Sequence, residues 1–364
     1  MDRMNRKDMR LVKSAAIAIA FSAAAGIARP AAQGPVARTS AVLGAVEKIT
    51  VHGKSLEGNL DGDAPDRAVF VYLPPSYATD RTRRYPVVYL LHGYGLQAER
   101  WMTFARIETG ANQSMTGSGG GVGTGARAKE MILVNPDAYT VYDGSMYSSS
   151  VTTGDWETFI AEDLVAYIDS RYRTIPNRAS RGLAGHSMGG YGTLRLGMKR
   201  PDVFSSLYPM SACCMLEGGE PSEALAAAEA LKTREAVAAL RYPNKSTLAR
   251  AAAWSPNPKN PPFFLDLPVK DGVPQPAIQA KWLANSPLAM IDQYATGLKR
   301  HKAIQFDVGL EDGLLGVNRQ LDALLTQSGI AHRFETYDGN HNNKVFERIE
   351  TRVLPFFSTN LEFK

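Results

Sequence analysis

The hexapeptide Gly185-His186-Ser187-Met188-Gly189-Gly190 stands between a short apolar run, Arg181 to Ala184, and a stretch that reads as helix up to Pro201. A serine at the apex of such a strand-to-helix turn is forced into a strained backbone conformation that projects its hydroxyl away from the main chain. Glycine at the flanking positions leaves room for that turn. In a chain with 32 glycines the Gly-x-Ser-x-Gly pattern carries little alone, so its context decides. The residues before it suit a buried strand, Tyr191, Leu194 and Met198 follow at helical spacing, and proline stands where the helix must stop. Ser187 therefore reads as an exposed nucleophile.

Outward from this turn, strands and helices alternate. Upstream, Tyr85 to Leu91 is nearly continuously apolar, as a strand buried on both faces should be, and it runs into His92-Gly93-Tyr94-Gly95. A glycine-containing turn at the carboxyl end of a central strand presents backbone N–H groups to the crevice there. The N–H of Tyr94, paired with that of Met188, is the expected oxyanion hole. Val46 to Val51 and Arg67 to Leu73 alternate like half-exposed strands and read as an opening antiparallel pair. Met131 to Val134 reads as a further strand. The polar aromatic loop Tyr139 to Thr153 leaves its carboxyl end, which makes Tyr147 a candidate substrate contact. Asp155 suits an N-cap for a helix to Arg171.

Downstream, Ser206 to Met210 reads as a central strand, after which the rhythm breaks for about 70 residues. Ser222 to Leu240 is alanine-rich and helical in pattern, Pro256 to Pro268 is proline-rich, and Trp282 to Tyr294 is helical again. An insertion at this place, about residues 216–288, is expected to form a lid over the crevice, with Phe263 and Phe264 available to line an acyl or aromatic pocket. The rhythm resumes with Ala303 to Val308 as strand, Asn318 to Ser328 as helix and His332 to Tyr337 as strand. Gly339 to Asn343 follows, then an amphipathic helix from Lys344. Such alternation predicts an α/β fold, a mostly parallel sheet covered on both faces.

A serine hydroxyl is a poor nucleophile at its free pKa, so Ser187 requires a histidine base held by a carboxylate. Of the six histidines, only His341 follows the last strand in a Gly/Asn loop from which it could reach the serine. His332 lies within a strand, His301 before one, His52 in the opening pair, His92 in the oxyanion turn, and His186 points away from its neighbour. The loop after the Ala303 strand supplies Asp307, Glu311 and Asp312. Asp312 is preferred because it lies far enough along to meet the imidazole. The order Ser187, Asp312, His341 is that of the α/β-hydrolase plan.

Composition bounds the rest. Arg3, Arg6, Lys7, Arg10 and Lys13 precede an apolar run from Ser14 to Ala28, so residues 1–34 read as a secretory signal peptide, with 35–364 as the catalytic domain. The apolar run is short of the roughly 20 residues a membrane span needs, and no stable anchor is expected. Residues 1–32 hold six basic and two acidic side chains, which reduces the net charge of the remainder from +5 to +1. No basic block interleaves with aromatics, which argues against nucleic acid as a partner. Asp61, Asp63 and Asp66 lack the downstream glutamate of a calcium loop. Gly117 to Gly125 lacks the strand before and the helix after that a nucleotide loop requires. No metal or cofactor is expected. Cys213 and Cys214, the only cysteines, are adjacent and read as two thiols, since a bridge between neighbours is strained.

The run Arg84 to Gly95, the turn Gly185 to Gly190, the acid loop around Asp312 and the Gly-x-His element at His341 together resemble the putative-esterase family of α/β-hydrolases, over about residues 45–358. That family includes feruloyl esterases, S-formylglutathione hydrolases, enterobactin esterases and mycolyltransferases. The resemblance implies Ser187 as nucleophile, His341 as base, Asp312 as acid, and backbone donors at Tyr94 and Met188. It also implies an ester substrate, small or carbohydrate-linked, with a feruloyl or acetyl type of acyl group for an exported, secreted or periplasmic member. The alternatives are an acyltransferase with a sugar hydroxyl as acceptor, and a non-catalytic binding module on the same scaffold.

Overall fold

The computed structural model describes residues 42–117 and 127–364. The leader expected at 1–34 and the greater part of the glycine-rich loop 117–125 lie outside the described residues. Eight strands form the principal sheet: β1 (Ala45–His52), β2 (Asp66–Leu73), β3 (Val87–Leu91), β4 (Ile132–Pro136), β5 (Arg181–His186), β6 (Ser206–Met210), β7 (Ala303–Gly309) and β8 (Arg333–Tyr337). Their order is β1-β2-β4-β3-β5-β6-β7-β8. Strands β4, β3, β5, β6, β7 and β8 run parallel, and β2 is antiparallel to both β1 and β4. This is an α/β fold built on a mostly parallel sheet.

The two-residue side-chain period of the strands divides the core into two layers. Val87, Tyr89 and Leu91 of β3 face one cluster, together with Leu183, Leu207 and Leu194 of the helix Met188–Lys199. Val88 and Leu90 face the other, with Trp101, Ile107, Ile349 and Phe357. All five residues of β3 are buried, which is why its sequence shows no polar alternation. Apolar area on both faces is therefore taken out of water along a single strand, worth roughly 25 cal/mol per Å².

Among the sheet residues, Asp307 is fully buried on β7. It accepts hydrogen bonds from the Tyr208 hydroxyl at 2.8 Å and from Arg348 Nε at 2.8 Å. Arg348 also bonds Glu335 on β8 at 2.9 Å. Asp307 thus ties the last helical region to the sheet and is not free to serve His341. Burial pushes its carboxyl up and Arg348 opposes that. Arg348→Met is expected to strand this carboxylate and cost about 3–5 kcal/mol, seen as a fall in Tm of roughly 5 °C. A thermal melt shifted by under about 2 °C would show that the pair is dispensable.

The segment between β6 and β7 carries the helices Glu223–Glu229, Asn244–Trp254, Pro276–Ala284 and Pro287–Leu298. Two helices expected from the sequence are shorter than their patterns. Ser222 caps the first through the Leu225 N–H, but the helix ends at Glu229 and resumes only as a short turn, Glu235–Ala239. Arg234 instead donates to the carbonyls of Leu60 and Asp61, an attachment that a continuous helix would not provide. The expected helix Trp282–Tyr294 is two helices, because Pro287 disfavours helical backbone at Ser286, which is extended at φ −87° and ψ 122°. The insertion rests on the helix after Ser187. The Tyr191 hydroxyl donates to the carbonyl of Asn285 at 2.9 Å, and the Tyr191 ring packs against Trp254 at 5.7 Å.

Candidate active site

Three strand ends bring the site together. At the end of β5, Ser187 has φ 57° and ψ −113°, a left-handed conformation that costs a non-glycine residue about 1–3 kcal/mol and persists only where its surroundings enforce it. The enforcement is steric and hydrogen-bonded. A Cβ on Gly185 would fall 2.3 Å from the Gly189 carbonyl oxygen, and one on Gly189 would fall 2.1 Å from that of Leu91. Both flanking glycines are therefore required for the chain to turn. The Ser187 N–H donates to Met210 at the end of β6, and the Ser187 carbonyl accepts from Cys213.

The loops that carry Asp312 and His341 leave β7 and β8 and lock onto each other. Leu310 N–H donates to Tyr337 and Glu311 N–H to Gly339, and Gly309 lies so near Gly339 that a Cβ would fall 2.1 Å from its oxygen. The Asn340 side chain accepts from the N–H groups of Asn342 and Asn343, an Asx turn that stiffens the histidine loop. From this frame His341 Nε2 lies 2.9 Å from Ser187 Oγ and its Nδ1 lies 2.8 Å from Asp312 Oδ2. The other Asp312 oxygen accepts from the Leu314 N–H at 2.9 Å. Of the three carboxylates weighed from the sequence, Asp312 meets the imidazole. Asp307 is committed to Arg348, and Glu311 is exposed.

The electrostatics suit this pairing. Burial alone would push the Asp312 carboxyl up, but the hydrogen bonds from His341 and Leu314 outweigh it and hold the group below its usual range. It is therefore ionised at neutral pH. The Asp312 side chain is 2 % exposed while that of His341 is 31 % exposed, so the carboxylate is sheltered and the imidazole is open to the cleft.

His186, read from the sequence as pointing elsewhere, has a supporting place. Its Nε2–H donates to the carbonyl of His341 at 2.7 Å, and its ring stacks on Trp101 at 6.3 Å. Burial, with the neighbouring His341 second, pushes its pKa down to about 3, so it stays neutral and holds the backbone of the base. Nothing in the sequence distinguishes this residue except its place beside the serine.

Tyr94 lies three residues past the end of β3, and Gly93 packs so closely that a Cβ on it would be 3.4 Å from that of Ser187. In this turn Gly95 N–H donates to Asp143 and Leu96 N–H to Gly93, which leaves the Tyr94 N–H uncommitted among the described residues. Met188 heads its helix, where a backbone N–H has no intrahelical acceptor. Both groups named from the sequence therefore border the serine with donors to offer.

Two cavities meet at Ser187, Tyr94, Tyr242 and His341. One, about 590 Å³, is walled by Phe104, Leu240, Arg241 and Asn342. The other, about 440 Å³, is walled by Met146, Cys213, Cys214, Glu217, Arg250 and Leu314. The expected substrate contacts require correction here. Tyr147 is fully buried and its hydroxyl donates to the carbonyl of His92, so it supports the oxyanion turn from beneath. Phe263 lines a separate cavity within the insertion, and Phe264 lines neither catalytic cavity, its carbonyl accepting from Thr152. The insertion instead offers Tyr242, 78 % exposed and 6.3 Å from the Tyr94 ring. No sequence period marks that residue.

Among the described residues no group of three or more His, Cys, Asp or Glu side chains could hold a metal. Asp61 bonds Arg234 and Tyr142, Asp63 accepts from the Val141 N–H, and Asp66 bonds His52. Cys213 and Cys214 are unbridged.

A family model described as "Putative esterase" matches residues 64–352. A similar protein of known name is Esterase Rv1288 of Mycobacterium tuberculosis (strain ATCC 25618 / H37Rv), 26 % identical over 281 residues, 75 % of this chain and 52 % of that protein. The chain thus spans about half the length of the curated relatives it matches. Among solved structures, a ferulic acid esterase superposes with a TM-score of 0.61 at 22 % identity, over 88 % of this chain and 99 % of the other. An S-formylglutathione hydrolase from Agrobacterium tumefaciens does so with a TM-score of 0.60 at 15 % identity, over 90 % and 99 %. At those identities the likeness is one of fold.

Proposed function

The chain belongs to the family described as "Putative esterase", and on that premise we propose that it is an exported serine carboxylesterase acting through an acyl-enzyme. The observation that carries the reading is the continuous chain of hydrogen bonds from Ser187 through His341 to Asp312, at 2.9 and 2.8 Å. Ser187 Oγ bonds to the ester carbonyl carbon while its proton passes to His341 Nε2. The N–H groups of Tyr94 and Met188 hold the resulting oxyanion, each worth about 3 kcal/mol. Collapse breaks the carbon–oxygen bond to the alcohol, which leaves with the proton from His341. Water then attacks the acyl-enzyme, giving a proton to the same nitrogen, and the acid is released as Ser187 recovers its hydrogen.

The substrate reading is an acyl ester of feruloyl or acetyl type on a carbohydrate or small alcohol. Supporting it are the two cavities, which give room on both sides of Ser187 for an acyl and an alcohol limb, and the ferulic acid esterase among the structures with this fold. The segment 216–288 acts as the lid, with Tyr242 at the edge of both cavities. Export rests on the basic and apolar pattern of residues 1–34. Among the described residues no helix is long and apolar enough to cross a membrane.

A panel of acetyl, butyryl and feruloyl esters tests the reading, with turnover expected for at least one class and the preferred acyl length reported by the ratio of kcat/KM. Products analysed with and without an added sugar alcohol separate hydrolysis, which is expected to dominate, from transfer. Absence of turnover on all three, with nitrophenyl acetate also inert, would favour a binding module.

A further inference from the structure

The turn that carries Tyr94 is held from outside itself. Gly95 N–H donates to the carbonyl of Asp143 at 3.0 Å, and the Tyr94 hydroxyl donates to the carbonyl of Tyr142 at 2.8 Å. Gly144 sits against both oxyanion residues, for a Cβ on it would fall 2.6 Å from the Met188 sulfur and 2.9 Å from the Tyr94 ring. Three consecutive residues, Tyr142 to Gly144, therefore set where the two donors lie.

Asp143 at the centre of this support is itself in a left-handed conformation, φ 66°, which a non-glycine residue keeps only when its surroundings over-determine it. Its side chain supplies the constraint. One carboxylate oxygen accepts from the Tyr139 hydroxyl at 2.5 Å and pairs with Lys245 Nζ at 2.5 Å. Lys245 belongs to the first turn of the helix Asn244–Trp254 in the insertion, and its side chain is only 10 % exposed. An ion pair so sheltered is stiffer and less screened than a surface pair.

We propose that Lys245 and Asp143 are positioning residues that couple the placement of the insertion to the geometry of the oxyanion hole; this rests on the acyl-transfer reading above. With the insertion seated, Lys245 holds Asp143, Asp143 holds Gly95, and the Tyr94 N–H is aimed at the developing charge. Without Lys245 the partly shielded carboxylate keeps the Tyr139 hydroxyl but loses its counter-charge, and turning toward water draws its backbone carbonyl away from Gly95. Stabilisation of an oxyanion falls steeply with small displacements of the donor. Ground-state binding relies on the cavity walls; Asp143 lines the larger cavity but Lys245 lines neither, so the split between kcat and KM is read on the Lys245 variants. The loss therefore belongs in kcat and not in KM.

Four variants test this on nitrophenyl acetate: Lys245→Met, Lys245→Arg, Asp143→Asn, which keeps a residue tolerant of left-handed backbone, and the Lys245→Met/Asp143→Asn pair. Lys245→Met is expected to lower kcat about tenfold with KM within about twofold, and to weaken binding of phenylboronic acid, a tetrahedral adduct former, by the same factor. Lys245→Arg should recover most of the loss, and the double variant should be no worse than the poorer single one. A raised KM with unchanged kcat, unchanged boronate affinity, or additive losses would overturn the coupling. Ser187→Ala assayed in parallel separates the two readings. If it retains turnover, the acyl-transfer reading fails; if it is inactive while Lys245→Met is fully active, only the coupling fails.

Discussion

Ser187→Ala is expected to lower hydrolysis of an activated ester by at least about 10⁴-fold, equivalent to about 5.5 kcal/mol of transition-state stabilisation. The reasoning starts from what the substitution leaves alone. Alanine keeps the Cβ, so the left-handed backbone at 187, the close contact of Gly189 with Leu91 and the hydrogen bonds of the turn are unchanged. The hydroxyl contributes one hydrogen bond, to His341. Its loss should change Tm by no more than a few degrees. A variant folded as well as the parent and nearly inactive would place the covalent step on this oxygen. A variant that keeps more than about a tenth of the parent rate would put the nucleophile elsewhere.

Asp312→Asn is expected to have an effect of comparable size, about 10⁴-fold in kcat, the magnitude known for the equivalent change in a serine protease triad. The structure supplies the reason here. One Asp312 oxygen is fixed by the Leu314 N–H and the other faces His341 Nδ1 at 2.8 Å. An asparagine keeping the first bond presents its amide N–H₂ to Nδ1, which must then accept. The ring proton moves to Nε2, and a protonated Nε2 cannot take the proton of Ser187. Binding of substrate should survive, so KM is expected to stay within about threefold, and the melting temperature separates the loss from unfolding. A fall of less than about tenfold would mean that His341 is oriented by another group. The carbonyl hydrogen bond from His186 is the first to test.

The two expectations differ in how early they could be formed. Ser187 is legible because its setting is local: an apolar strand, two glycines at fixed offsets and a helical period act within about 15 residues, and the close contact between Gly185 and Gly189 lies within the turn itself. The strands follow for the same reason, since Val87–Leu91 must be apolar on both sides to lie at the centre of a sheet. Asp312 was one of three carboxylates on one loop. Its selection became unique only when Asp307 proved to be buried against Arg348, 41 residues away. Helices in the insertion are shorter than their patterns where distant attachments, such as Arg234 to Asp61, override alanine's local preference. The walls of the cleft follow local pattern least of all. Tyr147 and Phe264 are aromatic residues in the expected segments, yet they serve the core and the backbone, while the exposed Tyr242 takes the position at the serine.

From its sequence alone the chain determined a mostly parallel α/β sheet, a serine at the tight turn after its central strand and a histidine after its last, because periodic burial and backbone sterics act between near neighbours. Tertiary structure alone decided which carboxylate meets His341, which side chains wall the cleft, and that Lys245 reaches Asp143 across 102 positions. Those choices depend on where an irregular insertion folds back over the sheet edge, and that is settled by packing and ion pairing between segments whose sequences carry no record of each other.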